Sequence, residues 1–212
     1  MKKSVFILGD SICIYYSPYL IPLLENDFEC QTKKGRAEAM KNLDVPISAN
    51  AGNTRDILKF LAIEREHGNL TYNYLLFNTG LHDLVYLVNK ETGELRDKPS
   101  VSISEYIKNL NTIIDIMNEH NIKPVFMTTT PVEDERHNTR VAFHRHGADV
   151  IKYNDTAKSV MANRGVPVID LFKFTDELDG EKFLDHVHYL EAVAEKQAHF
   201  INTAFRKIVE NY

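Results

Sequence analysis

The chain has 212 residues, of which 43% are hydrophobic and 26% are charged, and its formal net charge at pH 7 is -5. This length and composition suffice for one well-buried domain over residues 1–212. The acidic balance argues against nucleic-acid or anionic-membrane binding, since both need a basic face. Cys13 and Cys30 provide neither a disulfide framework nor zinc-ligand spacing, so we expect no disulfide and no metal.

Five short apolar runs are predicted to be buried strands, because they are rich in Val, Ile and Phe and are bounded by turn residues. The runs cover residues 4–8, 45–49, 72–78, 123–129 and 166–171. The first follows Met1-Lys2-Lys3 as a secretion signal would, but it stops at Gly-Asp without a cleavage site. No run approaches about 18 apolar residues. We therefore expect a cytoplasmic protein without a membrane span.

Helical patterns alternate with these strands. Residues 54–66 place Ile57, Leu58 and Leu61 on one face, and residues 102–120 open with a capping-box pattern. Two further helices are predicted over residues 148–163 and from about residue 191 to 209. Continuously apolar strands that alternate with helices are typical of a parallel sheet covered on both faces. The prediction is an α/β fold: a three-layer, flavodoxin-like α/β/α sandwich with about five parallel strands.

Three segments do not fit this alternation. Residues 33–44 are polar and are interpreted as a surface excursion, and residues 84–101 as a helix-plus-loop insertion. Residues 131–147 contain three histidines and three arginines, which would suit an anionic substrate or a metal. Their spacing matches no ordered metal motif, so a solvated loop is the favoured interpretation.

Polar clusters follow the predicted strands at the edge of the sheet where open parallel sheets bind ligands. A serine hydroxyl becomes nucleophilic when a histidine takes its proton, and a carboxylate fixes the tautomer of that histidine. The step from Asp185 to His188 lets both side chains project from one side of a turn, and the amide at the start of a helix faces a developing oxyanion. The clusters are Asp10-Ser11, Gly52, Gly80-Leu81-His82-Asp83 and Asp185-His186-Val187-His188.

These motifs, in this order, resemble those of the SGNH (GDSL-type) hydrolases, and the resemblance runs from the first strand to the last helix. The family pattern has Gly-Asp-Ser, a glycine, Gly-x-Asn-Asp and Asp-x-x-His. The resemblance implies that Ser11 is the nucleophile, His188 the base and Asp185 its orienting carboxylate. It also implies an oxyanion hole that contains the amides of Ser11 and Gly52.

One position departs from the family pattern, because His82 stands where the family supplies an asparagine to the oxyanion hole. Asparagine always offers an N–H donor, whereas neutral histidine donates from only one ring nitrogen. Three interpretations stay open: His82 donates in place of the asparagine, another group such as Asn78 takes the role, or the site is inactive. The stretch "FNTGLHD" also loosely resembles PC-esterase-like branches of the family.

Other residues near the motifs have alternative interpretations. Ser11 alone would suit a helix N-cap, and Asp10 is interpreted as structural, bonding amides around the turn. His186 is an alternative base, although the family register favours His188. Asp83 is ambiguous and is left out of the site.

The resemblance implies a serine esterase that acts through an acyl-enzyme and uses no metal or organic cofactor. We expect a small-molecule or carbohydrate ester with a small acyl group, acetyl in our first choice, and neither nucleic acid nor membrane as a partner. A thioesterase or lysophospholipase would use the same triad. The alternative from another class is a non-catalytic domain that retains the fold and holds an anionic ligand with residues 131–147.

Overall fold

A five-stranded parallel sheet forms the centre of the fold, with the strand order β2-β1-β3-β4-β5. The computed structural model describes residues 2–211. This strand order has its topological switch point between β1 and β3, where open α/β sheets bind ligands beyond the strand carboxyl ends. The strands are β1 (Lys3–Leu8), β2 (Phe28–Thr32), β3 (Tyr74–Asn78), β4 (Lys123–Met127) and β5 (Val168–Ile169).

Helices cover both faces of the sheet, and the predicted three-layer α/β architecture is confirmed. The helices of residues 2–211 are α1 (Ser11–Leu24), α2 (Arg36–Ala39), α3 (Thr54–Glu66), α4 (Ile103–Glu119), α5 (Asp134–Asn138), α6 (Gly147–Asn163), α7 (Leu171–Asp176) and α8 (Glu191–Glu210). One layer packs α1 and α7 against α8, and the other packs α4 between α3 and α6. Within residues 2–211, no helix is both long and apolar enough to cross a bilayer.

One of the five predicted strands is wrong. Residues 45–49 lie in a loop, with Val45 and Ile47 exposed by 41% and 40%. The strand that was not predicted is β2, which lies at the edge of the sheet and exposes Glu29 and Gln31. An edge strand with one solvated face alternates polar and apolar residues, so a search for continuously apolar runs does not find it.

The loop that replaces the predicted strand still leads Gly52 to the carboxyl end of β1. The amide of Ala51 donates to the carbonyl of Gly9 at 2.9 Å, which ties residues 40–53 to the turn before Ser11. Although residues 45–49 are not a strand, Gly52 still lies at the predicted edge of the sheet.

Two further expectations about loops are wrong. Residues 84–101 contain no helix; instead Tyr86 forms an antiparallel bridge with His144, with N···O distances of 2.8 and 2.9 Å. Residues 131–147 are not a solvated loop, because His137 and Arg145 are buried. These two segments pack on each other and on the carboxyl end of the sheet, and their burial depends on contacts between residues far apart in sequence.

Candidate active site

Ser11, His188 and Asp185 form a continuous chain of hydrogen bonds at the carboxyl end of β1. His188 Nε2 lies 2.9 Å from Ser11 Oγ, and His188 Nδ1 lies 2.7 Å from Asp185 Oδ2. The second oxygen of Asp185 accepts hydrogen bonds from the amides of Val187 and His188, both at 2.8 Å. Since a carboxylate accepts, Nδ1 carries the proton, and the neutral ring presents Nε2 as the acceptor for the serine hydroxyl.

The environment of Asp185 keeps it ionised. Burial alone would raise the pKa of Asp185, but the hydrogen bonds from the His188 side chain and the two amides hold that pKa well below its usual range. Tyr15, one turn after Ser11 on α1, stacks on the His188 ring with centroids 5.5 Å apart. The histidine is therefore fixed by a carboxylate on one edge and by an aromatic ring on one face.

Ser11 is not the cap of its helix. Asp10 is the N-cap of α1, and its Oδ1 accepts from the amide of Ile12 at 3.0 Å, which agrees with the structural interpretation of Asp10. Ser11 is the first residue of α1, so its amide has no acceptor within the helix and lies at the positive end of the helix dipole. The hydroxyl of Ser11 is thus free to bond His188, and its amide is free to face a ligand.

Gly52 lies in a left-handed turn with φ of 69°, a conformation that favours glycine. A Cβ there would lie 2.7 Å from both Pro46 Cβ and Asp56 Oδ2. The amide of Gly52 donates to Asn50 Oδ1 at 3.0 Å. The loop itself therefore requires the glycine, and the role of its amide in an oxyanion hole stays a prediction.

His82 is a buried, neutral side chain near the carboxyl end of β3. Burial and the positive charge of Arg145 lower the pKa of His82 to about 3. Neither ring nitrogen forms a hydrogen bond with the rest of residues 2–211. Since a neutral imidazole carries one N–H, the ring has a donor available for a ligand.

The residues around His82 have structural contacts. Asp83 accepts from the amide and hydroxyl of Thr54, at 2.9 and 2.6 Å, and from Thr79 Oγ1 at 2.7 Å. It therefore joins the carboxyl end of β3 to the start of α3. Asn78 is buried beneath Gly9, where its Oδ1 accepts from the Tyr16 hydroxyl at 3.4 Å.

His186, the alternative base, points away from this chain of hydrogen bonds. Its Nδ1 lies 2.9 Å from His137 Nδ1, and its Nε2 lies 3.2 Å from Asp44 Oδ1. Asp44 and the buried positions of His137 and Arg145 were not predicted from the sequence. The only sequence signal was the density of histidine and arginine in residues 131–147, and nothing local distinguished Asp44.

Asp185, His186 and His188 each place a ligand atom within 4.8 Å of the others, close enough in principle to hold a metal ion. Asp185 and His188 already use these atoms to bond each other and Ser11. An ion at this position would displace those hydrogen bonds, so the donor set fits the hydrogen-bonded arrangement better than a metal centre.

Comparison with known proteins gives consistent matches. The family model described as GDSL-like Lipase/Acylhydrolase matches residues 5–201. The chain is 26% identical over 156 residues to the uncharacterized lipoprotein YqeF of Bacillus subtilis (strain 168). That alignment covers 68% of this chain and 61% of the relative, so the matched region spans less than two thirds of the relative's length.

Solved structures of similar fold have low sequence identity to this chain. A lipase/acylhydrolase from Enterococcus faecalis has a TM-score of 0.68 at 18% identity, covering 97% of this chain and 96% of that one. A GDSL-like lipase from Bacteroides thetaiotaomicron VPI-5482 has 0.63 at 12%, covering 99% and 88%. The acetyl xylan esterase AlAXEase has 0.63 at 15%, covering 95% and 98%. At these sequence identities, the structural similarity shows that the fold is shared and nothing more.

Proposed function

The chain belongs to the GDSL-like lipase/acylhydrolase family, and from that premise we propose that it is a serine esterase that removes a small acyl group from a carbohydrate ester through an acyl-enzyme. The observation that carries the proposal is the chain of hydrogen bonds from Ser11 through His188 to Asp185. The proposal places the whole site in one domain, residues 1–212, in a cytoplasmic protein.

Each of the three hydrogen-bonded residues has its own role in the proposed reaction. Ser11 Oγ attacks the ester carbonyl while His188 Nε2 takes the hydroxyl proton, and Asp185 stabilises the imidazolium that forms. The tetrahedral intermediate collapses as His188 gives that proton to the departing alcohol, which leaves the acyl group on Ser11. A water molecule then repeats the cycle and releases the carboxylic acid.

The oxyanion of the tetrahedral intermediate needs hydrogen-bond donors that are already in place. In the proposal the amide of Ser11, at the N-terminus of α1, supplies one donor and the neutral His82 ring supplies another. The amide of Gly52 becomes a third donor when it exchanges its present partner, Asn50 Oδ1, for the substrate oxygen.

The choice of a carbohydrate ester rests on the space beside His82, and the choice of a small acyl group rests on one neighbour of similar fold. A cavity of about 140 Å³, with polar and apolar walls, adjoins His82. The acetyl xylan esterase supplies the lead for an acetyl ester on a sugar.

A second candidate function is the hydrolysis of a longer acyl ester or thioester. A cleft of about 310 Å³ runs along α1 beside the nucleophile turn, and Ile14, Pro18 and Ile21 line it. An alkyl chain would fit such a surface. Rates for p-nitrophenyl esters from two to twelve carbons distinguish the candidates, because the first predicts a maximum at acetyl and the second a rise with chain length.

The test of the proposed function compares the parent protein with Ser11→Ala in p-nitrophenyl acetate hydrolysis and in labelling by a fluorophosphonate probe. Ser17→Ala is the matched control, since Ser17 is also buried on α1 but bonds the carbonyl of Cys13. We expect Ser11→Ala to fall to the background rate and to lose the label, while Ser17→Ala keeps both. An unlabelled parent with no activity on any ester of the series favours the non-catalytic binding domain.

A further inference from the structure

Arg145 is a buried arginine whose guanidinium has a fully buried nitrogen without a hydrogen-bond partner within residues 2–211. Only 2% of the residue is exposed to solvent. Its Nε donates to the carbonyl of Leu81 at 2.7 Å, and the guanidinium lies 4.9 Å from the centroid of the Phe143 ring. Nη1 has no hydrogen-bond partner within residues 2–211. A buried N–H donor without an acceptor is costly, so such a group calls for a ligand or a water molecule.

Arg145 lines the cavity of about 140 Å³ beside His82, and Asp44 lines the same cavity. No oxygen of Asp44 lies within 4.0 Å of a guanidinium nitrogen of Arg145, so the two opposite charges share a space without forming an ion pair. Asp44 is fixed by His186, whose Nε2 lies 3.2 Å from Asp44 Oδ1. The cavity therefore presents a donor and an acceptor that are held apart.

The two charged residues are held in place by the residues around them. The amide of Arg145 bonds Asn138 Oδ1 at 3.0 Å, and His186, which fixes Asp44, is itself 2.9 Å from His137 Nδ1. Burial would raise the pKa of Asp44, but the hydrogen bond and charge of His186, with the charge of Arg145, hold that pKa below its ordinary value. An ionised carboxylate and a guanidinium thus face one small space in fixed positions.

The chemistry of this pair selects the group that it binds. Asp44 would repel a carboxylate, Arg145 would repel an ammonium group, and an alkyl chain would leave both charges unpaired in a buried site. A hydroxyl group accepts a hydrogen bond from Arg145 and donates one to Asp44, and neighbouring hydroxyls can do both at once. The apolar wall residues, among them Val85 and Phe143, suit the C–H face of a sugar ring.

We propose that the cavity between Arg145 and Asp44 is a subsite for the hydroxyl-bearing alcohol part of the ester, and that these two residues determine specificity for carbohydrate esters. His82 lines the same cavity, which places the subsite next to the residue assigned to the oxyanion. This inference rests on the proposed esterase function and names the residues that choose its substrate.

The test compares two acetyl esters with leaving groups of similar size: 6-O-acetyl-glucose, and cyclohexylmethyl acetate, which has a ring without hydroxyls. Acetate release gives kcat/KM for the parent, Asp44→Asn and Arg145→Gln, with Arg140→Gln as a control on an exposed arginine of the same segment. We expect the ratio of kcat/KM for the sugar ester to that for the cyclohexyl ester to fall about 10- to 100-fold in both variants, as for a lost charged hydrogen bond. Arg140→Gln should retain the parent ratio.

An unchanged ratio in folded Asp44→Asn overturns the subsite, even if both rates fall together. Thermal unfolding checks that each variant is folded. If Arg145→Gln, a change at a buried residue, is unfolded, the Asp44→Asn variant alone tests the subsite. Failure of the esterase function gives a different result: the parent would hydrolyse neither ester. In that case, saturation-transfer NMR of 6-O-acetyl-glucose with the Ser11→Ala protein, with and without Asp44→Asn, tests the subsite by binding alone.

Discussion

Two histidine-bearing segments meet at the site, and they differ in how far their contacts reach along the chain. In residues 185–188 the decisive contacts are local: Asp185 bonds the ring of His188 and the amides of its own turn. In residues 131–147 the decisive contacts are distant: Arg145 bonds the carbonyl of Leu81, and His137 contacts His186. Residues 185–188 are predictable from their motif, whereas residues 131–147 have the pattern of a solvated loop until the chain is folded.

The two segments also differ in how their polar groups are paired by hydrogen bonds. Asp185 is half-exposed, and its hydrogen bonds are made within its own turn. His137 and Arg145 are polar groups that become buried, and each leaves a fully buried nitrogen without a partner within residues 2–211. Such groups are costly to bury, which makes residues 131–147 the segment where a substrate-dependent role is expected.

The largest expected effect comes from the local segment. Asp185→Asn should lower kcat by about 10,000-fold, because an amide in place of the carboxylate favours the wrong histidine tautomer and does not stabilise the imidazolium. The measurement is kcat for p-nitrophenyl acetate, with Asp179→Asn as the control at an exposed aspartate nearby. A loss of less than tenfold would mean that the carboxylate does not act through His188.

A smaller effect is expected at His82, which adjoins the distant segment through Arg145. His82→Ala should lower kcat by about 100- to 1,000-fold, the usual cost of one oxyanion-hole donor. His82→Asn restores an N–H donor and should retain activity within about tenfold of the parent. Equal rates for His82→Ala and the parent would remove His82 from the oxyanion hole and reopen the role of Asn78.

The smallest effect is a pH dependence of stability that belongs to the distant segment. Burial and the charge of Arg145 lower the pKa of His137 to about 3, whereas an unfolded histidine titrates near 6.5. Between these values the unfolded chain binds more protons, so the free energy of unfolding falls as the pH falls. The contribution is on the order of 1 kcal/mol per pH unit below about 6.5.

His137→Asn should remove that contribution, since the asparagine amide offers both a donor and an acceptor to His186 Nδ1 but does not titrate. Urea unfolding at pH 7, 6 and 5 measures it, with His199→Gln as a control at an exposed histidine. The stability difference between parent and His137→Asn should shift in favour of the variant as the pH falls. A difference that stays constant across this range would show that His137 is not held neutral by its surroundings.

Four of the five strands and the four long helices after the first were predictable, because strand and helix formation depends on periodicity within a few residues. The predicted helix over residues 102–120 agrees with α4, where Ser102 accepts from the amide of Glu105. The edge strand β2 escaped prediction because its exposed residues, Glu29 and Gln31, hide the apolar pattern. Residues 84–101 were wrongly predicted to contain a helix, because their conformation depends on the pairing of Tyr86 with His144 in a distant segment.

The sequence by itself determined the order of the motifs along the strand ends, and with it the positions of Ser11, Asp185 and His188 at one edge of the sheet. That information is local: a strand, a turn and a helix start need only neighbouring residues. The tertiary structure alone decided that Asp44, His82 and Arg145 share a cavity. Their burial comes from packing between distant loops, and the energy of a buried polar group depends on partners that no short stretch of sequence contains.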